Sequence, residues 1–511
     1  MVKRKTKIVF IVYLCIYLCW HSFYLSKYPL PNTDDVWLTE PVWRLFTFKK
    51  FSSVIFGNVY DLDKTDTYHG RLYSIFHFPI LLFGLGIYQA RLSSLIAGLI
   101  VLYLTFLISK KLFNFNIGIL STYFLSLTYL FINLTHRVRQ EMALVSFLLL
   151  SFYFFNLSIN TISKNKKKVL ILISGLFSSL SIDIHLNGII VVFTITLLVF
   201  LEFFKKVKTI EIDEIVWFVF GIFLGIFWWI YSHVFINSEA FFCQLYCIVL
   251  SKQFMPGLLK LTSIYELFKK LFYDYFYQYW IMTGLYRGVL EYLLIVGLVI
   301  YSFFVTQNKT SKYIAWIITI IYFLLPLFSR VSLDYCFIFY PFVGMLFGCV
   351  VANLWRKQKF FAKTLLIGFA VFSFCFNILP ISVRYFKVNF NNYAKRVCSF
   401  LPANAKVFSD LPIWFCRTDI QYYLHHGYYF YRNNKNKSLK NFFNENQIEY
   451  LVLSEEDFKG NLNEYLIYQK DFSELKLELI GKVEDRFFGG NFSYCGLHKF
   501  HTTGIFKVRN E

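Results

Sequence analysis

About eleven stretches of this chain are apolar over roughly the 17 to 25 residues that a helix, rising 1.5 Å per residue, needs to cross the hydrocarbon of a bilayer. They lie near residues 8–25, 88–109, 115–134, 142–159, 169–186, 188–204, 214–236, 288–305, 313–328, 333–355 and 363–382. Only 16% of the residues are charged, against roughly a quarter in soluble proteins, and 57% are hydrophobic. That composition excludes a soluble enzyme, a disordered chain, collagen and a coiled coil. The 511 residues leave room for a large membrane domain and one smaller globular one.

The formal net charge of +21 would suggest a nucleic-acid partner in a soluble protein, but here its location matters more than its sum. With a cytoplasmic N-terminus, the inner helix ends hold 19 Lys and Arg, in clusters such as Lys164, Lys166, Lys167 and Lys168. Three short outer turns hold three, Arg137, Arg139 and Arg330. Such asymmetry is the positive-inside signal, so the basic excess reads as topology and no nucleic acid is needed. The first apolar run is long and lacks a small-residue cleavage site, so it is expected to remain as an anchor.

This orientation leaves two loops outside, residues 26–87 and 237–287, and a tail from 384 to 511. The predicted domains are therefore a transmembrane domain over 1–383 and an extracytoplasmic α/β domain over 384–511. The amphipathic stretch 73–88 is expected to lie along the membrane surface. In the tail, KVFSD at 406–410, IEYLVLS at 448–454 and LELIGKVED at 477–485 read as strands. No internal repeat is visible, and no nucleotide-binding loop.

Four groups of residues could carry chemistry on the outer side. Asp34 and Asp35, just past the first helix, could act as a general base or a metal ligand, since one carboxylate can take a proton while its neighbour tunes it. They could equally cap a helix, as Asn, Thr and Asp do. Arg137, Arg139 and Glu141 occupy a turn between two spans, where ionisable groups are costly unless paired or facing a cavity. Asp183, His185 and Asn187 stand at an outer helix end, where the imidazole could take a proton or bind metal. Arg330, Asp334, Tyr335 and Tyr340 form the fourth, with a guanidinium fork suited to phosphate oxygens. Interface anchoring or packing is the alternative for each of the last three. Of ten cysteines, Cys398, Cys416 and Cys495 fall in the tail, where one disulfide could form in an oxidising compartment.

In its order of features the chain resembles the GT-C membrane glycosyltransferases, above all the glycosyltransferase family 39 group of protein O-mannosyltransferases and aminoarabinose transferases. The residues that carry the likeness are the anchor followed by Asp34-Asp35, the stretch GLGIYQARLSSLIAGLIVLYLTFLISKKLF at 84–113, Arg139-x-Glu141, the Asp-Tyr and Tyr-Pro of 334–341, and PANAKVFSD at 402–410. Ser93 stands where that group usually has proline. The resemblance implies a polytopic α-helical GT-C-like fold and a sugar donor carried on a polyprenyl phosphate, consistent with the lack of a nucleotide motif. It implies inverting transfer to an acceptor hydroxyl of a protein, lipid or polysaccharide, with Asp34 as general base and Asp35 supporting it. Arg330, Arg139 and Arg91 would then meet the donor phosphate, with Glu141, His185 and Tyr335 close to substrate. A divalent metal, with Asp34 and Glu141 as candidate ligands, stays open. The expected setting is a bacterial inner membrane, with the endoplasmic reticulum as the alternative.

Competing readings are an oligosaccharyltransferase, a transporter or flippase of lipid-linked glycans, and a non-catalytic scaffold. An oligosaccharyltransferase would carry a Trp-Trp-Asp-Tyr-Gly signature in its soluble domain, whereas Trp228-Trp229-Ile230-Tyr231 lies inside a span. A transporter would show repeated halves.

Overall fold

The computed structural model describes residues 2–57, 59–67, 69–205, 209–246, 266, 269–283, 285–329, 332–409, 411–424, 427–428, 431–432, 438–454, 475–485 and 501–509. Each apolar run forms a helix, because within hydrocarbon a segment must satisfy its own backbone amides. In chain order the helices are α1 (Val2–Tyr24), α2 (Thr33–Phe48), α3 (Arg71–Leu81), α4 (Ile87–Leu112), α5 (Phe115–Leu127), α6 (Tyr129–Thr135), α7 (Glu141–Ile159), α8 (Lys164–Ile184) and α9 (Gly188–Phe203). Next come α10 (Ile212–Phe235, its last turn π-helical), α11 (Ser238–Gln244), α12 (Tyr275–Thr283), α13 (Leu285–Phe304), α14 (Lys309–Phe328), α15 (Leu333–Lys357) and α16 (Lys359–Tyr385).

Among the described residues, six helices are long and apolar enough to cross a membrane, or seven if α5 and α6, bent by 68°, make one span. Three shorter apolar helices accompany them, at Phe10–Tyr24, Gly188–Phe203 and Gly288–Phe304. The central helix is α15, with 89% of its apolar window buried, while α10 and α16 bury 22% and turn most of their apolar surface outward, where lipid would cover it. Glycine sets the contact of α8 with α10. A Cβ on Gly175 would stand 2.3 Å from Phe218 O, one on Gly221 2.2 Å from Leu172 O, and one on Gly225 2.1 Å from the Ser179 hydroxyl. Small residues bring helices together in this way in a bilayer, where no hydrophobic effect separates apolar helix from apolar lipid.

The stretch 73–88, expected along the membrane surface, forms most of α3 and the first residues of α4, and α2 precedes it as a helix that the sequence reading did not place. Beyond α16, helix α17 (Phe390–Cys398) leads into strands β1 (Lys406–Ser409), β2 (Gln421–Tyr423), β3 (Tyr450–Ser454), β4 (Lys476–Asp485) and β5 (His501–Arg509), with α18 (Leu439–Asn446) before β3. The sheet order is β2-β1-β3-β5-β4; β1 runs parallel to both its neighbours, and β5 antiparallel to β3 and β4. Three strands lie where the sequence placed them. The short β2 and the C-terminal β5 were not anticipated. Helix α18 covers β1, with Phe443 5.3 Å from Phe408 between ring centroids. The sheet domain also touches the segment between α2 and α3, where the Leu424 N–H donates to Ile55 O at 2.8 Å. Cys398 and Cys416 are free thiols, and Cys495 lies outside the described residues.

Candidate functional site

The turns before α2, α7, α9 and α15 converge at one end of the bundle. Helix α2 begins with a capping box: Asn32 Oδ1 accepts the Asp35 N–H at 3.1 Å, and Asp35 Oδ2 accepts the Asn32 N–H at 3.0 Å. This fixes Asp35 at the third helical position, its side chain fully buried. Its carboxylate also accepts Arg91 Nη2 at 2.7 Å, Arg91 Nε at 3.4 Å and the Val138 N–H at 2.8 Å. Arg91 is itself fully buried and donates through Nη1 to Leu25 O and Pro29 O. Asp35 thus ties α2 to α4 and to the α6–α7 turn, which is structural work. Asp34 points elsewhere. A quarter of its side chain is exposed, and its Oδ2 meets Arg139 Nη1 at 2.7 Å and Arg137 Nη2 at 3.3 Å.

Arg139 is the hub of a mixed-charge cluster. Its Nε donates to Glu141 Oε2 at 3.0 Å and its Nη2 reaches the other Glu141 oxygen, making a two-pronged contact. Asp334, delivered by α15, lies 3.3 Å from both Arg137 and Arg139. Burial works against the Arg139 charge, but Glu141, Asp334 and Asp34 outweigh it and hold the guanidinium above its ordinary pKa. In the loop that follows α2, Asp66 makes a buried pair with His69. Burial alone would raise its carboxyl; the His69 ring and N–H reverse this and leave it below the usual carboxylate range.

Beside the cluster opens a cavity lined by Gln140, Asp183, His185, Asn187, Trp229 and Tyr335 among others. Gln140 separates Arg139 from Glu141 in the chain, and Tyr335 follows Asp334, so the two features share their walls. Asp183 at the end of α8 accepts the Arg71 N–H at 3.1 Å, the Leu72 N–H at 2.9 Å, Trp228 Nε1 at 2.8 Å and His233 Nε2 at 2.5 Å. His233 Nδ1 faces Thr67 O at 2.6 Å, so the ring bridges Asp183 and the loop that holds Thr67. Close contact demands glycine at 70, where a Cβ would fall 1.5 Å from Asp183 O.

The structure therefore brings Asp34, Arg139 and Glu141 together, with Tyr335 and His185 on the adjoining cavity wall, their rings 5.3 Å apart. It places Arg91 away from Asp34, as the buried partner of Asp35. Arg330 lies outside the described residues. As metal ligands, Asp34 and Glu141 fit poorly, because Arg139 stands between them and engages both. Among the described residues no group of three or more His, Cys, Asp or Glu could hold a metal ion. Sequence reading singled out Arg137, Asp334 and Asp183, but missed His233, Asp66 and His69. A histidine buried at a helix end has no local signature; only the acids it meets from 50 residues away mark it.

Residues 74–231, from within α3 to the last turns of α10, match the family model described as dolichyl-phosphate-mannose-protein mannosyltransferase. Among solved structures the chain is similar to ArnT from Cupriavidus metallidurans bound to undecaprenyl phosphate, with a TM-score of 0.66 and 12% identity over 97% of this chain and 97% of that one. It is also similar to the apo oligosaccharyltransferase of Archaeoglobus fulgidus, with a TM-score of 0.51 and 10% identity over 89% and 71% of the two chains. No curated protein sequence matches. At such identity it is the fold that is shared, and it is the GT-C membrane fold.

Proposed function

We propose that this chain, with its GT-C fold and a family match running through the turn that holds Arg139 and Glu141, is an inverting glycosyltransferase. It moves a sugar from a polyprenyl-phosphate or dolichyl-phosphate donor to an acceptor hydroxyl at the extracytoplasmic face of a cell membrane. The observation that carries this reading is the division of labour between the adjacent acids. Asp35 is consumed by a buried network, whereas Asp34 is partly exposed beside two guanidiniums.

In the reaction, the Asp34 carboxylate takes the proton of the acceptor hydroxyl while that oxygen attacks the anomeric carbon from the face opposite the phosphate. The bond from carbon to phosphate oxygen breaks, and its electron pair leaves with the lipid phosphate. Arg137 and Arg139 offer preorganised positive charge to the departing phosphate, the largest kind of contribution an active site makes. Asp334 and Glu141 hold those guanidiniums in place before the donor arrives. A phosphate leaving group needs no strong acid to depart.

The test is transfer from labelled polyprenyl-phosphate sugars by the full chain in membranes, with protein, lipid and polysaccharide acceptors supplied in turn. Asp34→Asn should abolish transfer, by about 10² to 10⁴-fold for loss of a general base, while donor binding is kept. Unchanged transfer by this variant would refute the assignment.

A further inference from the structure

We propose that the cavity between the ends of α8, α9 and α10 seats the glycosyl group of the donor, and that it is built for an uncharged, hydroxyl-bearing sugar rather than a cationic amino sugar. The inference rests on the transfer reading above and adds the substrate class.

Three observations carry it. The first is charge. Among the described residues lining the cavity, Asp183 is the one carboxylate, and each of its oxygens already accepts two hydrogen bonds: Oδ1 from the Arg71 N–H and His233, Oδ2 from the Leu72 N–H and Trp228. A carboxylate so engaged has no lone pair left for an ammonium. A protonated amino sugar would find no carboxylate on the cavity lining free to pair with it. The second is a waiting donor. Asn187, 5% exposed at the head of α9, lines the cavity, and its amide nitrogen has no hydrogen-bond partner among the described residues. It does not cap its own helix, so the side chain has no local use. A buried amide N–H of this kind is satisfied by a sugar hydroxyl oxygen. The third is an aromatic wall. Trp229 stacks on His233 at 5.5 Å and meets Phe241 edge-on at 5.6 Å, so the ring is held fixed. A rigid indole offers an apolar face to the C–H side of a pyranose while polar groups opposite read its hydroxyls.

The test uses the full chain in proteoliposomes and displacement of labelled undecaprenyl phosphate by three probes. These are undecaprenyl phosphate without sugar, with a neutral hexose, and with a 4-amino-4-deoxypentose. The neutral-hexose lipid should bind tighter than the bare lipid, and the amino-sugar lipid should not. Asn187→Ala should weaken the neutral-hexose lipid by about 3- to 10-fold, the worth of one hydrogen bond, and leave the bare lipid unchanged. Asn187→Asp should move the preference toward the amino sugar. Trp229→Phe, which keeps a ring, supplies a second variant if Asn187 proves intolerant. Equal binding of bare and hexose lipids, or tighter binding of the amino-sugar lipid by wild type, would overturn the inference and leave the transfer reading standing. Sugar-dependent, Asn187-dependent binding without transfer to any acceptor would sink the transfer reading and keep the pocket. Binding of none of the three lipids would overturn both.

Discussion

Replacing Asp35 by Asn should cost the protein its stability rather than its chemistry, and the size of the loss can be worked from the structure. Asp35 and Arg91 are both fully buried, 2.7 Å apart, and the carboxylate also accepts two backbone N–H groups. An amide in its place would keep the shape but strand the Arg91 charge and could turn a donor toward N–H donors. Removing one partner of such a pair costs about 3–5 kcal/mol. An unfolding entropy of about 2.1 cal/mol/K per residue over 511 residues gives roughly 1 kcal/mol/K, so Tm should fall by about 3–5 °C. Thermal unfolding of the detergent-solubilised chain, followed by tryptophan fluorescence at one scan rate, reads this directly. Arg91→Met alone should also destabilise, but the double variant should be more stable than the sum of the two losses predicts, because no charge is left unpaired. Transfer per folded molecule should survive Asp35→Asn. A folded Asp35→Asn protein with unchanged Tm and no activity would refute the reasoning and exchange the roles of the two acids.

Arg139→Lys should lower kcat/KM for transfer by about 10²-fold, because an ammonium cannot bridge Glu141, Asp334 and Asp34 as a planar fork does; steady-state transfer assays check it. Burial raises the Glu40 carboxyl in α2 to about 7, against the opposing pull of Arg44, from an ordinary value of 4.5. The folded state then holds a proton that the unfolded chain releases, so the stability this lends is complete below about pH 4.5 and is lost as pH rises through about 7. Glu40→Gln should flatten the fall of Tm over that window, and an unaltered slope would count against it. Gly368→Ala in α16, where an added Cβ meets nothing within 4 Å, should stabilise by up to about 1 kcal/mol. Gly221→Ala should destabilise by about 1–3 kcal/mol, since its Cβ would press on Leu172 O; paired melts of the two variants give the sign.

The apolar runs determined where the long helices of the bundle lie, because in a medium without water a segment of that length and composition has no other way to satisfy its backbone. They also placed the loop 26–87 and the turns that hold Arg139, His185 and Arg330 on a common side by alternation; Asp34, Arg139 and Asp334 do meet, and Arg330 lies outside the described residues. Three strands of the tail were legible from local pattern. How many helices cross was not, since α8 begins in lysines and α9 is short, so length and hydropathy diverge. The sequence showed two adjacent acids and offered no means of dividing their roles. That was decided by helix geometry, which turns successive side chains of α2 through about 100° and sends Asp35 into the α4 contact and Asp34 toward Arg139. Tertiary structure likewise made Arg91 a buried partner of Asp35 and gave Asp183 its histidine, since both contacts join residues more than 45 positions apart. Local spacing carries no record of such pairings; they exist only once the turns have been packed together.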